Sequence, residues 1–242
     1  MSMSRLVNNF EPYKYSSKEM RRSLSMCRAS KGYSWYNKFM KEGNKGFKKF
    51  APPTAFDWDA PIAQDAINAN KVTARPKAFF ELYQDEDPFG RVEIELAEDI
   101  VPKTVDNFRR LVEGQGVKHN KGYKNTIIHA VQKGNCVLGG DIENNDGTGN
   151  HSAGEERYIK DENYIIPHSE RGLVSMGSIG LHTGGSQFMF TLQEENRHLN
   201  GRNVVFGRIV KGQDILDQLE GLFTTRLKPA RDIIIKDCGI VN

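Results

Sequence analysis

The chain has 242 residues, 38% hydrophobic and 27% charged, with 34 lysines and arginines against 31 aspartates and glutamates for a formal net charge of +3. That composition is globular and loop-rich, which excludes a disordered chain, and no window approaches the roughly eighteen uncharged apolar residues of a membrane span. Its three cysteines, Cys27, Cys136 and Cys238, stand far apart with no CxxC pair, against a disulfide framework or zinc site and for a reducing compartment.

The opening stretch, MSMSRLVNNFEPYKY, lacks the continuous apolar run of a signal peptide, so the expected location is cytoplasmic and not secreted. Charge is divided along the chain. Residues 1–50 carry 12 Lys and Arg and 3 Asp and Glu, a balance of +9, which leaves 22 and 28, a balance of −6, for residues 51–242. A basic arm is thus tethered to an acidic body. The arm is also rich in aromatics, among them Tyr13, Tyr15, Tyr33, Trp35, Tyr36, Phe39 and Phe47, which a solvated tail would lack. Ser16 and Glu19 read as a capping box opening a short helix with Met20 and Leu24 on one face. Ser34 opens a second, through Tyr36, Phe39 and Met40, after a break at Lys31-Gly32. A linker at Ala51-Pro52-Pro53 leads to a third helical run from Asp59-Ala60-Pro61, with Ile62, Ala63, Ala66 and Ile67 at helical spacing. Pro76 closes this extension, so the division expected is 1–76 and 77–242.

From Ala78 the period changes to two. AFFELY and RVEIEL read as strands parted by turn residues Asp87-Pro88-Phe89-Gly90, and Val92, Ile94 and Leu96 alternate with charged neighbours. A helix follows with Pro102 in its first turn, an apolar face of Val101, Val105, Phe108, Leu111 and Val112, and Gly114 as a left-handed cap. The Arg109-Arg110 pair is read as its solvated face. Short apolar runs come next: TIIHAV, VLGGD, GLVSMG, SQFMFTL and NVVFGRIV. A second helix near Gly212 buries Ile215, Leu216 and Leu219, and a last strand spans Asp232 to Lys236. Many short strands with two helices predict a closed barrel with helices outside it.

Five segments then carry a family resemblance. GRVEIELAEDIVPKTVDNFRRL (90–111), GGDIENNDGTG (139–149), SMGSIGLHTGGSQFMFTL (175–192), LNGRNVVFGRIVKG (199–212) and IIIKDCG (233–239) resemble cyclophilin motifs, in family order and spacing over about 165 residues. The resemblance implies a mainly β fold: an eight-stranded antiparallel barrel capped by two helices, here with a partly helical N-terminal extension. It also implies a shallow groove that takes proline-containing peptides, with no cofactor and no metal. The chain as a whole resembles a cyclophilin-like protein encoded by a giant DNA virus, which would place it in host cytoplasm or virion.

The family's chemistry can be laid on these residues. An X–Pro bond rotates slowly over a barrier of roughly 18–20 kcal/mol, and a site speeds it by stabilising the twisted amide, whose prolyl nitrogen gains a basic lone pair. A cation donating to that nitrogen is worth more in the transition state than in the ground state. Cyclophilins use an arginine in a Phe-His-Arg motif. Here His129 keeps the histidine position, but Ala130 stands where the arginine belongs, in a register fixed by Gly139-Gly140-Asp141. The resemblance further maps the family's Phe-Met pair to Asn135-Cys136, its Gln to Leu138, its pocket Ala to Gly177 and its pocket Phe to Met189, while Gln187 keeps a peptide-facing position. The far wall reads His198-Leu199-Asn200-Gly201-Arg202-Asn203, with Asn203 in place of a histidine, and residues 186–201 hold one extra residue.

Alanine cannot donate to the prolyl nitrogen, and loss of one preorganised donor costs about 10²–10³ in rate. Asn135 also puts an amide into an apolar wall. The reading is a cyclophilin-fold binding or structural module with little or no isomerase activity. Its alternative is a weak isomerase with another donor, Arg202 being the nearby candidate. Blander roles stand beside these: His129 as a half-buried structural histidine, Gln187 and Phe188 as barrel residues, Leu138 and Leu199 as packing, Cys136 as a small buried hydrophobe. Three readings exist for the arm: a nucleic-acid arm, a cover on its own acidic body, or exchange with a neighbouring copy. No RRM, KH or zinc-finger pattern supports the first, so docking and a homo-oligomer are favoured.

Overall fold

A computed structural model describes residues 55–60, 62, 74–117 and 122–241. The helices read at Ser16, Ser34 and Pro61 lie outside the described residues. The elements are β1 (Lys77–Gln84), β2 (Asp87–Leu96), α1 (Pro102–Val112), β3 (Ile128–Gln132), β4 (Cys136–Gly139), β5 (Leu173–Met176), β6 (Phe188–Thr191), β7 (Val205–Lys211), α2 (Gln213–Gly221), β8 (Thr224–Thr225), β9 (Lys228–Pro229) and β10 (Ile233–Val241).

Eight strands form one antiparallel sheet in the order β10-β1-β2-β7-β5-β6-β4-β3, with β8 and β9 as a separate hairpin. The outer strands approach each other and nearly close the barrel. Ile127 bridges to Ile234, and Ile235 N donates to Thr126 O at 2.8 Å. Alternation decides which side chains point inward. Ala78, Phe80 and Leu82 of β1 and Val92, Ile94 and Leu96 of β2 are all fully buried. α1 lays the expected apolar face on this interior, and Phe108 meets Phe80, Tyr123, Phe188 and Phe206 with ring centroids 4.8–6.2 Å apart. Burying a ring of this size contributes about 2–3 kcal/mol. Gly114 takes φ +72 beyond the helix, the left-handed geometry a β-carbon resists.

Four sequence expectations need correcting. The first turn lies at Asp85-Glu86, with Asp85 at φ 56, and Asp87–Gly90 belongs to β2. Phe89 is the extra residue of a bulge between the pairs Leu82–Gly90 and Tyr83–Pro88, a place where a proline's missing N–H is tolerated. β10 runs past Lys236 to Val241 because it pairs with the whole of β1. The β8–β9 hairpin went unread, since its turn, Arg226-Leu227, carries no Gly, Asn or Pro. Finally, Arg109 and Arg110 are not simply solvated: Arg109 Nη1 donates to Glu98 at 3.0 Å and Arg110 Nη2 to Ala153 O at 3.2 Å.

Part of the extension is joined to the barrel. Trp58 is 5% exposed within the core cluster. Arg75 grips Asp99 through Nε and Nη2 at 2.8 and 3.0 Å, donates from Nη1 to Trp58 O at 2.6 Å, and stacks on Phe56 and Trp58. From the other direction Arg208 of β7 stacks on Trp58 and donates to Asp59 and Glu95. The barrel resemblance explains none of these contacts.

Candidate functional site

The groove face is built by cross-strand register. Ala130 on β3 stands opposite Leu138 on β4, Leu138 opposite Met189 on β6, and Met189 opposite Ser175 on β5. Directly paired residues share a face, so Ala130, Leu138 and Met189 form one row on the outer side. Phe188 and Phe190 fill the interior from the same β6 strand. A register shift between Ile128 and Ala130 lets Ile128 and Val131 both point into the core and leaves His129 and Ala130 half-buried on the groove side. The extra residue counted between 186 and 201 does not displace Met189 from this row. Cys136, 5% exposed, lies two residues before Leu138, and burial pushes its thiol up to about 11, so it behaves as a small hydrophobe.

Three amide side chains of the site bond to the chain itself. Asn135 Nδ2 donates to Gln132 Oε1 at 2.8 Å, while its buried Oδ1 has no partner. Gln187 Nε2 donates to Gly147 O and Gly149 O at 2.8 and 2.6 Å. Asn203 Nδ2 donates to Met176 O at 2.9 Å and Ser178 Oγ at 3.1 Å. Gly177 lies so close to Gln187 that a β-carbon there would meet its Cβ at 2.8 Å. His129 packs its ring on Gly147, and burial lowers its pKa from the ordinary 6.5 against the pull of Asp141 and Asp146. Leu199 is half-buried on a 3-10 turn, Arg197–Leu199, whereas His198 beside it is exposed and does not join the row. Arg202 is exposed with no hydrogen bond or ion pair from its guanidinium among the described residues.

Three hubs escaped the sequence reading. Asp141, fully buried, accepts five backbone N–H groups, from Glu143, Asn144, Asp146, Gly147 and Gly149. Burial alone would raise its pKa, but these bonds outweigh it and hold the carboxyl below its ordinary 3.8. Asn150 accepts from Gln187 N and donates to Gly177 O and Thr183 O, which ties the glycine-rich loop to the wall. His168, 1% exposed, pairs Nδ1 with Asn200 Oδ1 at 3.0 Å and Nε2 with Ser175 Oγ at 2.9 Å, and so fixes the turn that carries Leu199 and Asn203. An aspartate or asparagine in a glycine-rich run is the only signal that could have marked the first two.

A barrel of this topology with this groove row can be set against known proteins. The family model for cyclophilin type peptidyl-prolyl cis-trans isomerase/CLD matches residues 79–240. The chain belongs to the cyclophilin family. It is 37% identical over 171 residues to a peptidyl-prolyl cis-trans isomerase of Encephalitozoon cuniculi (strain GB-M1), covering 70% of this chain and 96% of that one. Within this cyclophilin barrel the row Ala130–Leu138–Met189 is apolar, and Gln187 and Asn203 beside it bond to their own chain, whereas His129 Nδ1 and Asn135 Oδ1 are buried without a hydrogen-bond partner.

His168 gives a pH signature. Burial is the main cause that lowers its pKa from 6.5 to about 4, against the bond to Asn200 and with help from His198. The unfolded chain therefore takes up the proton first, so stability falls as pH drops from about 6.5 to about 4 and is then flat in this group. At 1.36 kcal/mol per pH unit the loss is on the order of 3 kcal/mol. Melting temperature from pH 7 to pH 4 should fall steeply in the wild type and less steeply in His168→Gln.

Proposed function

We propose that the groove of this cyclophilin binds proline-bearing segments and isomerises them little or not at all. The observation that carries the reading is Ala130, a methyl group half-buried in the Ala130–Leu138–Met189 row where the family's arginine belongs. The amides of Gln187 and Asn203 are already engaged on backbone and Ser178, so neither replaces the missing donor. Without such a donor the twisted amide is bound no better than the planar one, and binding does not become catalysis. An Ala-Pro peptide should shift the NMR signals of Leu138, Met189 and Leu199 in the full-length protein. The absence of any shift at millimolar peptide would overturn the binding half of the reading.

A second reading, a weak isomerase that assists protein folding, is favoured by the similarity to a protein named as an isomerase and by the unpaired Arg202. Ala130→Arg separates the two in part. Gained exchange activity supports a groove that lacks only its donor, and activity already present in the wild type and lost in Arg202→Ala supports the second reading.

The arm completes the proposal. A +9 segment and a −6 body attract, and the arm's aromatics are suited to anchor it, in cis or on a neighbouring copy, with a homo-oligomer as the favoured result. Nucleic-acid binding through the arm is the less favoured alternative. The setting proposed is a reducing cytoplasm, which for a virus-encoded chain is the host's, or the virion. Light scattering of the full chain at low and high salt tests the oligomer, beside a shortened chain that begins at Pro52. Starting instead at Lys77 would remove Trp58 and Arg75 and leave Asp99 without its cation. Equal monomeric masses for both chains in all conditions would exclude the oligomer.

A further inference from the structure

The β8–β9 hairpin breaks a local rule beside the groove. Thr225 pairs with Lys228, so Arg226 and Leu227 form a two-residue turn, and they take φ 50 and φ 72. A turn left-handed at both positions is the type I′ hairpin, for which Asn-Gly is the favoured pair. Leucine there sets its β-carbon against the neighbouring carbonyl. Despite that strain Leu227 keeps 47% of its surface exposed, and Phe223 on the same hairpin is 76% exposed. Arg226 is exposed with no ion pair from its guanidinium among the described residues.

The hairpin is continuous with the groove. Val131 N, directly after Ala130, donates to Leu227 O at 2.7 Å. An extended peptide advances about 3.4 Å per residue, so a segment seated over Ala130 reaches this hairpin within about three residues of its proline.

We propose that the hairpin is a second contact for the segment bound in the groove, and that it selects a large apolar side chain followed by a carboxylate. Leu227 and Phe223 offer the apolar surface, and Arg226 the unpaired cation that complements the acid. The strained turn is then a specificity element, a backbone conformation held for what it presents. This inference rests on the reading of the groove as proline-binding and adds to it which proline-bearing segments are taken.

The test uses the full-length protein, an Ala-Pro core peptide, and the same core extended by Leu-Glu at either end, with affinities read by fluorescence anisotropy. One extended peptide should bind about tenfold tighter than the core, as expected for a half-buried leucine with a charge contact. The double change R226N/L227G supplies the favoured turn pair, so it should raise the melting temperature while reducing the extended peptide to the affinity of the core. Phe223→Ser, at an exposed position that leaves the fold intact, should remove part of the gain. Equal affinities of core and extended peptides, or an advantage that survives R226N/L227G, would overturn the hairpin's role and leave the groove reading standing. Failure of every peptide to bind would overturn both.

Discussion

Arg75→Ala is expected to lower the melting temperature by about 10 °C. The substitution removes both hydrogen bonds to Asp99, one to Trp58 O and two ring contacts. What decides the size of the effect is the group left behind: the Asp99 side chain is only 3% exposed, so it remains a buried carboxylate without a cation. Breaking a buried pair in this way costs about 3–5 kcal/mol, whereas the pair itself, measured against apolar replacements, need stabilise little. For a domain of this size each kcal/mol shifts the melting temperature by about 2–4 °C. The double change Arg75→Met with Asp99→Leu should recover much of the loss. Trp58→Ala tests the same latch through packing and should cost about 3 kcal/mol. A barrel that melts unchanged in both single variants would mean that Phe56–Asp59 does not hold to it.

Asp141→Ala is the second large effect. Five backbone N–H groups converge on this carboxylate, and the loop they define presents Gly147 to the ring of His129 and the carbonyls of Gly147 and Gly149 to Gln187. Bonds to a charged acceptor contribute about 1.5–3 kcal/mol each when taken singly, and they do not add, so a loss on the order of 3 kcal/mol is expected. Asp141→Asn should do little better, because one carboxylate oxygen becomes an NH2 that faces N–H donors. Since the folded carboxyl lies below its ordinary 3.8, the stability it provides is present above that pH and is lost as pH falls through the lowered value. Amide hydrogen exchange across residues 143–149 reads the effect locally, and protection unchanged in Asp141→Ala would contradict it.

The barrel was legible because its strands alternate strictly. Val92, Ile94 and Leu96 bury while their charged neighbours do not, and the helix after Pro102 buries the face its spacing predicts. The groove was legible in part. The spacing from Ala130 to Gly139-Gly140-Asp141 set the strand register, and strand pairing puts Ala130, Leu138 and Met189 in one row. Hydrogen-bond hubs were not legible, because the partners of Asp141, Asn150 and His168 are chosen by loop geometry that no period encodes. His168 and Asn200 are 32 residues apart and meet only when the turn after β6 folds back on β5. The Trp58 latch stayed hidden for the same reason: Arg75, Asp99 and Arg208, which hold Trp58 and Asp59, lie far from them along the chain. The β8–β9 hairpin was missed because its turn contradicts the residue preferences that would have announced it.

The most direct test of the account is two-dimensional exchange NMR on an Ala-Pro peptide, with wild-type full-length protein at a concentration that visibly shifts the peptide's signals. The account predicts bound peptide whose cis and trans signals exchange no faster than in buffer, where interconversion takes tens to hundreds of seconds. Exchange cross-peaks as strong as those given by a cyclophilin that keeps its arginine would contradict it.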